Sequence, residues 1–304
     1  MSDAADRRKA VETMELPLVV GVDGSDASLT AVDWAVDEAA RHGLPLRLVY
    51  ASLWEHYEGA APESGADRPW EQVRAEQLIA SAAERARRRG PDVKVTTDVL
   101  PEDAVTGLLG EGNHASALIT GSRGRGELKG LLLGSVGLAV AGRAQCPVVV
   151  VRGDAAGLAG THERILLGAG PPGTCGEAVR FAFREAEARG SVLDVVRAWR
   201  RPVLRTVGGG TAAGEAAREP EERADAELEE LLSDAIAARP AVRVRPATAE
   251  GPAHRVLVHR SAAADLVVVG ARHRTGHFGL QLGRTAHSLL HHAQCPVAVV
   301  AQRA

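Results

Sequence analysis

The chain states its main segments twice. QCPVVVV at 145–151 returns as QCPVAVV at 294–300, and AVDWAVDEAARHG at 31–43 returns as AVRFAFREAEARG at 178–190. ALITGSRGRGELKGLLLGS (117–135) returns as LVVVGARHRTGHFGLQLGR (266–284), with its outer glycines at the same spacing. The offset is about 147–149 residues throughout. Two copies of one unit fold as two copies of one domain, and 304 residues are enough for two of ordinary size. The expected division is a flexible tail at 1–15, a first domain at 16–152 and a second at 163–304. The small polar stretch RGDAAGLAGTH (152–162) is the expected linker.

Within each unit, short apolar runs alternate with longer amphipathic stretches. Strands are expected near 18–22, 46–51, 93–99, 117–121 and 147–151, with helices near 26–42, 70–90, 102–113 and 135–144. The second copy has strands near 164–168, 192–197, 242–246, 266–270 and 296–300. Leu18-Val19-Val20 and Val267-Val268-Val269 are continuously apolar, as parallel strands covered on both faces are. The fold class that follows is α/β: two tandem Rossmann-like domains, each an open parallel sheet with helices on both faces. Two segments after the second strand of each unit, 54–70 and 205–221, are rich in glycine, proline and small residues and read as mobile loops.

Bulk properties remove several function classes. Net charge is −3 and aromatics are 3%, which argues against a nucleic-acid surface with its basic patches and stacking rings. No stretch has the length of a membrane-spanning helix, and the polar start MSDAADRRKAVETMELP lacks a signal-peptide core. Three cysteines make no disulfide framework, so the expectation is a cytoplasmic protein with reduced thiols and no membrane or nucleic-acid partner.

The chemistry concentrates in GSRGRGELKGLLLGS, residues 121–135. Gly121 and Gly124 let main-chain amides approach an anion, and Gly134-Ser135 opens a helix whose first turn offers unpaired N–H groups. Ser135 is the expected N-cap, and Arg123, Arg125 and Lys129 add positive charge. The loop is no Walker A motif, because Gly-Lys-Ser/Thr is missing and the loop follows the fourth strand rather than the first. Two readings stay open on these residues alone, a phosphate cradle and a plain strand-to-helix turn. Asp23, at the end of the first strand, adds a carboxylate suited to ribose hydroxyls or an adenine amino group; Ser25 and Asp26 are better placed to cap the helix that follows.

These residues resemble the universal stress protein family. Its nucleotide-binding members carry Gly, two residues, Gly, nine residues, then Gly-Ser or Gly-Thr, and Gly121, Gly124, Gly134 and Ser135 keep that spacing. Val-Gly-Val-Asp-Gly-Ser near the start and Cys-Pro-Val-Val-Val-Val at the end of the first copy are also similar to the family. The resemblance implies a five-stranded parallel sheet in the order 3-2-1-4-5 in each domain. It implies ATP with Mg2+ or Mn2+, the adenosine near Asp23 and the backbone of Val49 and Tyr50. The phosphates would lie on Gly121, Ser122, Arg123, Gly124 and Arg125 and on Gly134, Ser135 and Val136. It further implies that the apolar last strands pair the two halves within the chain, with a homodimer as a further possibility.

The second copy departs from that pattern. Gly170 stands at the place of Asp23, His273 at that of Gly124 and Arg284 at that of Ser135, while Pro171 and Pro172 remove two N–H groups. The expectation is a first domain that binds ATP and a second with a degenerate site; the counter-reading is that Arg272, His273, Arg274 and Arg284 hold phosphates by charge. His287, His291, His292 and Cys295 crowd the last helix, but the first copy has Leu138 and Gly142 opposite two of them, so an ordinary helix surface is expected. Cys146 and Cys295 are repeat-equivalent and read as structural thiols; Trp34 and Phe181 are equivalent and read as core. Three functions follow in order: an ATP-binding regulator or sensor in stress or dormancy, a slow ATPase or autophosphorylating enzyme, and an adaptor that needs no nucleotide.

Overall fold

The computed structural model describes residues 15–53, 70–124, 133–201, 215–272 and 282–302. The first copy supplies strands β1 (Leu18–Gly21), β2 (Leu46–Ala51), β3 (Val95–Leu100), β4 (Ala117–Gly121) and β5 (Val148–Val151). The second supplies β6 (Arg164–Gly168), β7 (Val192–Trp199), β8 (Val244–Glu250), β9 (Leu266–Arg272) and β10 (Val297–Gln302). All ten form one sheet in the order β3-β2-β1-β4-β5-β10-β9-β6-β7-β8, so each half has the order 3-2-1-4-5. Neighbours run parallel except β5 and β10, which pair antiparallel with Val297 opposite Val150 and Val299 opposite Val148. That pairing gives each half's apolar edge a partner, and it makes the two sheets continuous.

Helices cover both faces. On one lie α1 (Asp26–His42), α2 (Trp70–Arg89), α6 (Gly176–Arg189) and α7 (Glu215–Ala238). On the other lie α3 (Ala104–Gly112), α4 (Ser135–Arg143), α8 (Ala253–Arg260) and α9 (Arg284–His292). Each face has a single apolar core that contains residues of both copies. Trp34 and Phe181 belong to the first of these cores. The end signals of α1 explain its bounds: the Ser25 hydroxyl accepts from the Ser28 amide, and Gly43 closes the helix with φ +66°. Gly190 does the same for α6.

Two expectations are corrected. The linker is not merely a polar stretch: it holds a short helix, α5 (Ala155–Ala159), whose start is capped by Asp154 accepting from the Gly157 amide. Gly153, at φ +112°, runs so close to the Gln294 carbonyl that any side chain would collide with it. The second proposed loop ends early, because residues from Glu215 onward are helical; 54–69 and 202–214 lie outside the described residues. Burial pushes the Cys146 thiol up to about 11 and raises Cys295 as well, consistent with structural thiols. No helix among the described residues is long and apolar enough to cross a membrane.

Where α1 meets α6, the repeat brings together two pairs of equivalent side chains: Glu38 with Glu185, and His42 with Arg189. Both carboxylates are 4% exposed. His42 Nε2 lies 3.2 Å from Glu38 and 3.3 Å from Glu185, and Arg189 reaches Glu38 at 2.5 Å and Glu185 at 3.4 Å. Arg41 adds a bond to Glu38 from the rim, and Arg184 borders the same cavity. Hydrogen bonds to Glu185 and Glu38 push His42 up to about 9. Burial, reinforced by the charge of Glu38, pushes Glu185 up to about 7. Burial opposes ionisation of Glu38, but Arg189 and hydrogen bonds from Glu185 and His42 hold it well below the usual carboxylate range.

The pH dependence follows. A raised pKa contributes stability that is whole below the unfolded value and lost as pH climbs through the folded one. For His42 that window runs from 6.5 to about 9, and for Glu185 from 4.5 to about 7. Glu38 acts in the opposite sense, contributing above 4.5 and losing its part as pH falls. The melting temperature of the chain is therefore expected to decline from neutral pH through about 9, and His42→Gln is expected to flatten that decline. Differential scanning calorimetry across this range checks it; an unchanged slope in the variant assigns the titration elsewhere.

Candidate functional site

β1 and β4 are parallel neighbours, with Leu18 opposite Ala117 and Val20 opposite Ile119. Their carboxyl ends therefore open side by side, at the position where chain order reverses and open α/β sheets bind ligands. A cleft of about 480 Å³ lies there, within the range of small-ligand pockets. Asp23, Val49, Tyr50, Gly121, Arg123, Gly124, Gly134, Ser135 and Val136 all line it. Ser122 does not line it: its amide donates to the Val151 carbonyl and its own carbonyl accepts from Gly134, which pins the two arms of the loop together. Arg125 and Lys129 lie outside the described residues.

The glycines matter for close approach. A Cβ on Gly121 would stand 2.6 Å from the main chain of Ala27, so α1 can pack against the end of β4 only over a bare backbone. A Cβ on Gly124 would stand 2.6 Å from Asp23 Oδ2, so the two loops meet over a bare backbone there as well. Asp23 is not left wholly to a ligand, as its distance from the helix cap suggested. Its Oδ1 accepts from the Ser25 amide at 2.9 Å and the Ser25 hydroxyl at 2.6 Å. Ser25 Oγ also reaches the Arg123 carbonyl at 3.3 Å, tying the first loop to the second. Among the described lining residues Asp23 is the one carboxylate.

Ser135 is not the N-cap. Gly134 holds that position with extended φ and ψ, no side chain caps the helix, and Ser135 is the first helical residue. The physical reason is the bond from Leu138 N to the Gly134 carbonyl, which starts the helix one residue early. The consequence is useful for an anion. Among the described residues no acceptor meets the amides of Ser135, Val136 and Gly137, which point from a helix start that borders the cleft. Arg123 and Gly124 supply the facing main chain.

Sequence reasoning missed three contributors. Thr120 is 5% exposed, lines the cleft, and its hydroxyl has no hydrogen-bond partner among the described residues. A buried hydroxyl with no partner costs about 1–3 kcal/mol, and this one belongs to a residue that lines the cleft. Its signal was in the repeat: Val269 stands at the matching place. Ala51 is the second. The Val49 carbonyl is taken by the Val22 amide at 2.8 Å, and alternation along β2 turns the next cleft-side main chain to Ala51. Leu108, from α3, supplies an apolar wall and packs against Gly21.

The second copy is built differently at the corresponding place. A Cβ on Gly170 would meet the Thr174 hydroxyl at 2.8 Å, with Cys175 behind it, so no carboxylate fits where Asp23 stands in the first copy. Gln302 accepts from the Glu177 amide at 3.1 Å, and its Nε2 lies 3.1 Å from where a Gly270 side chain would begin. The first copy has Gly153 there. Gly283 caps α9 without a side-chain bond; His273 and Arg274 lie outside the described residues.

Comparison with known proteins agrees with the repeat. The model of the universal stress protein family matches twice, at residues 16–152 and 161–301. Universal stress protein Rv2005c of Mycobacterium tuberculosis is 33% identical over 295 residues, covering 94% of this chain and 97% of its own. Universal stress protein Rv2624c of the same species is 29% identical over 283 residues, covering 93% and 95%. A universal stress protein from Archaeoglobus fulgidus has the same fold, with a TM-score of 0.68 over 95% of this chain and 99% of its own at 16% identity.

Proposed function

We propose a function from one premise, that the chain belongs to the universal stress protein family. The first half binds ATP, carried with Mg2+ or Mn2+, and the chain acts as a nucleotide-dependent regulator or sensor in a stress or dormancy response. The second half serves as a partner domain without a nucleotide of its own. One observation carries this reading: among the described residues the first cleft combines main-chain amides with no acceptor, a hydroxyl with no partner and a carboxylate, and the second copy has Gly170 and Val269 at the places of Asp23 and Thr120.

The roles follow from position. Gly121 lets α1 close over the end of β4, Gly124 keeps a side chain out of the path of the phosphates, and the first turn of α4, at Ser135 and Val136, presents N–H groups and a positive dipole end to them. Arg123 and Arg125 bring charge to the same loop. Ser122 orients the loop through its two main-chain bonds. Asp23 is the carboxylate for the ribose hydroxyls, oriented by the bonds that Ser25 makes to its Oδ1. The β2 main chain from Val49 through Tyr50 to Ala51 meets the base. With one carboxylate already hydrogen-bonded among the described lining residues, the divalent ion travels on the phosphates, and the site is built to hold rather than to turn over quickly.

Calorimetry with Mg-ATP on the full chain tests this. One site per chain is expected, and two equivalent sites would overturn the division of labour between the halves. Thr120→Val, which swaps in the residue of the second copy, is expected to weaken ATP by about threefold to tenfold. The same variant should melt no lower than wild type, since it removes an unsatisfied buried hydroxyl. Unchanged affinity would place the nucleotide away from Thr120.

A further inference from the structure

We propose that Glu38, His42 and Glu185 form a divalent transition-metal site, of the kind that suits zinc, clamping the two halves of the chain together. It lies at the joint of α1 and α6 and is independent of the nucleotide reading. His42 Nε2 is 3.2 Å from Glu38 Oε1 and 3.3 Å from Glu185 Oε1. A tetrahedral ion with bonds of about 2.0–2.2 Å holds its ligand atoms about 3.3–3.6 Å apart. The three ligand atoms all lie within 4.8 Å of one another.

The carboxylates are divided in a way that supports ligation. Both Oε1 atoms face His42, and both Oε2 atoms are held by Arg189, at 2.5 Å from Glu38 and 3.4 Å from Glu185. Outer oxygens bound by a donor and inner oxygens turned to a common point are the arrangement by which surrounding groups orient metal-binding carboxylates. Glu38 and His42, four apart on α1, chelate from one helix, while Glu185 comes from the other half; the ion takes the place of the proton that His42 Nε2 shares with the two carboxylates, and that proton is released to water. An ion there would bind the two repeats to each other directly.

A cavity of about 260 Å³ reaches all three side chains and supplies both an entry path and room for a water as the fourth ligand. Its origin is visible in the repeat. The first copy has His42, Ala117 and Ser116 where the second has Arg189, Leu266 and Asp265. Leu266 is fully buried, and the Arg189 guanidinium covers the Trp34 ring at 5.5 Å. The smaller set leaves the volume open on the His42 side, so one ion per chain is the expected number. Among the described residues no other group of histidine, cysteine and acidic side chains converges in this way; His287 and His291 stack with ring centroids 4.5 Å apart.

The test uses the full chain, stripped with chelator and titrated with zinc at pH 7.5. Wild type is expected to retain one zinc per chain through gel filtration, by elemental analysis, and to melt higher with it. Glu185→Gln and His42→Arg should each lower zinc affinity by about a hundredfold or more, since each removes one of three protein ligands. His42→Arg restores the residue of the second copy and is chosen to keep the joint filled. His287→Gln with His291→Gln should leave zinc binding unchanged. Wild-type protein that retains no zinc overturns the proposal. So does zinc retained equally by Glu185→Gln and His42→Arg, or lost only in the His287 and His291 variant.

Discussion

Gly124→Glu is expected to weaken Mg-ATP binding by more than about a hundredfold while leaving the fold intact. The new side chain starts 2.6 Å from Asp23 Oδ2, so a second carboxylate enters the cleft beside the first. It occupies the space assigned to the phosphates and repels them. Gly124 itself is exposed, and its backbone has no positive φ that would penalise a side chain, so stability should move little. Isothermal titration reads the affinity and a thermal melt reads the fold. Binding within threefold of wild type, with the melt unchanged, would remove this loop from the site. Asp23→Ala is a less clean companion, because it also deletes the acceptor of the Ser25 amide and hydroxyl.

Glu38→Ala is expected to cost about 3–5 kcal/mol of folding stability, the usual range for breaking a buried ion pair from one side. Its carboxylate accepts from Arg189 at 2.5 Å, His42 at 3.2 Å and Arg41 at 2.9 Å. With it gone, the buried Arg189 keeps only Glu185, at 3.4 Å. Urea unfolding at neutral pH in the presence of chelator measures the loss. Arg41→Ala is the control: its guanidinium is 32% exposed, and a change within about 1 kcal/mol is expected. A Glu38→Ala loss as small as that of the control would mean that the quartet does not hold the halves together.

The sequence carried the fold a long way. The helix α1 matches its expected bounds at 26–42, and β2, β4 and β6 match theirs, because caps, C-terminal glycines and apolar runs are local signals. The spacing of Gly121, Gly124 and Gly134 located the loop, since close backbone approach demands glycine wherever it occurs. Other features were not legible. Ser135 looked like a cap by residue type, but the start of α4 depends on which carbonyl Leu138 reaches. Thr120 looked like one more strand residue; only the tertiary structure buries its hydroxyl without a partner among the described residues. Glu38 and Glu185 lie among other charges on amphipathic helices, and nothing local marks which of those charges becomes buried.

What the sequence determined alone is the repeat, the alternation of strand and helix, and the positions where bare backbone is needed. These depend on periodicity and on the conformational range of single residues, which neighbours in the chain already express. The tertiary structure decided the antiparallel meeting of β5 and β10, the burial of Glu38, His42, Glu185 and Arg189 between the halves, and the packing of Thr174 beside Gly170 and of Gln302 beside Gly270. Each of these depends on which distant side chain arrives to remove water from a group, and a charge or a hydroxyl changes its meaning only when that happens.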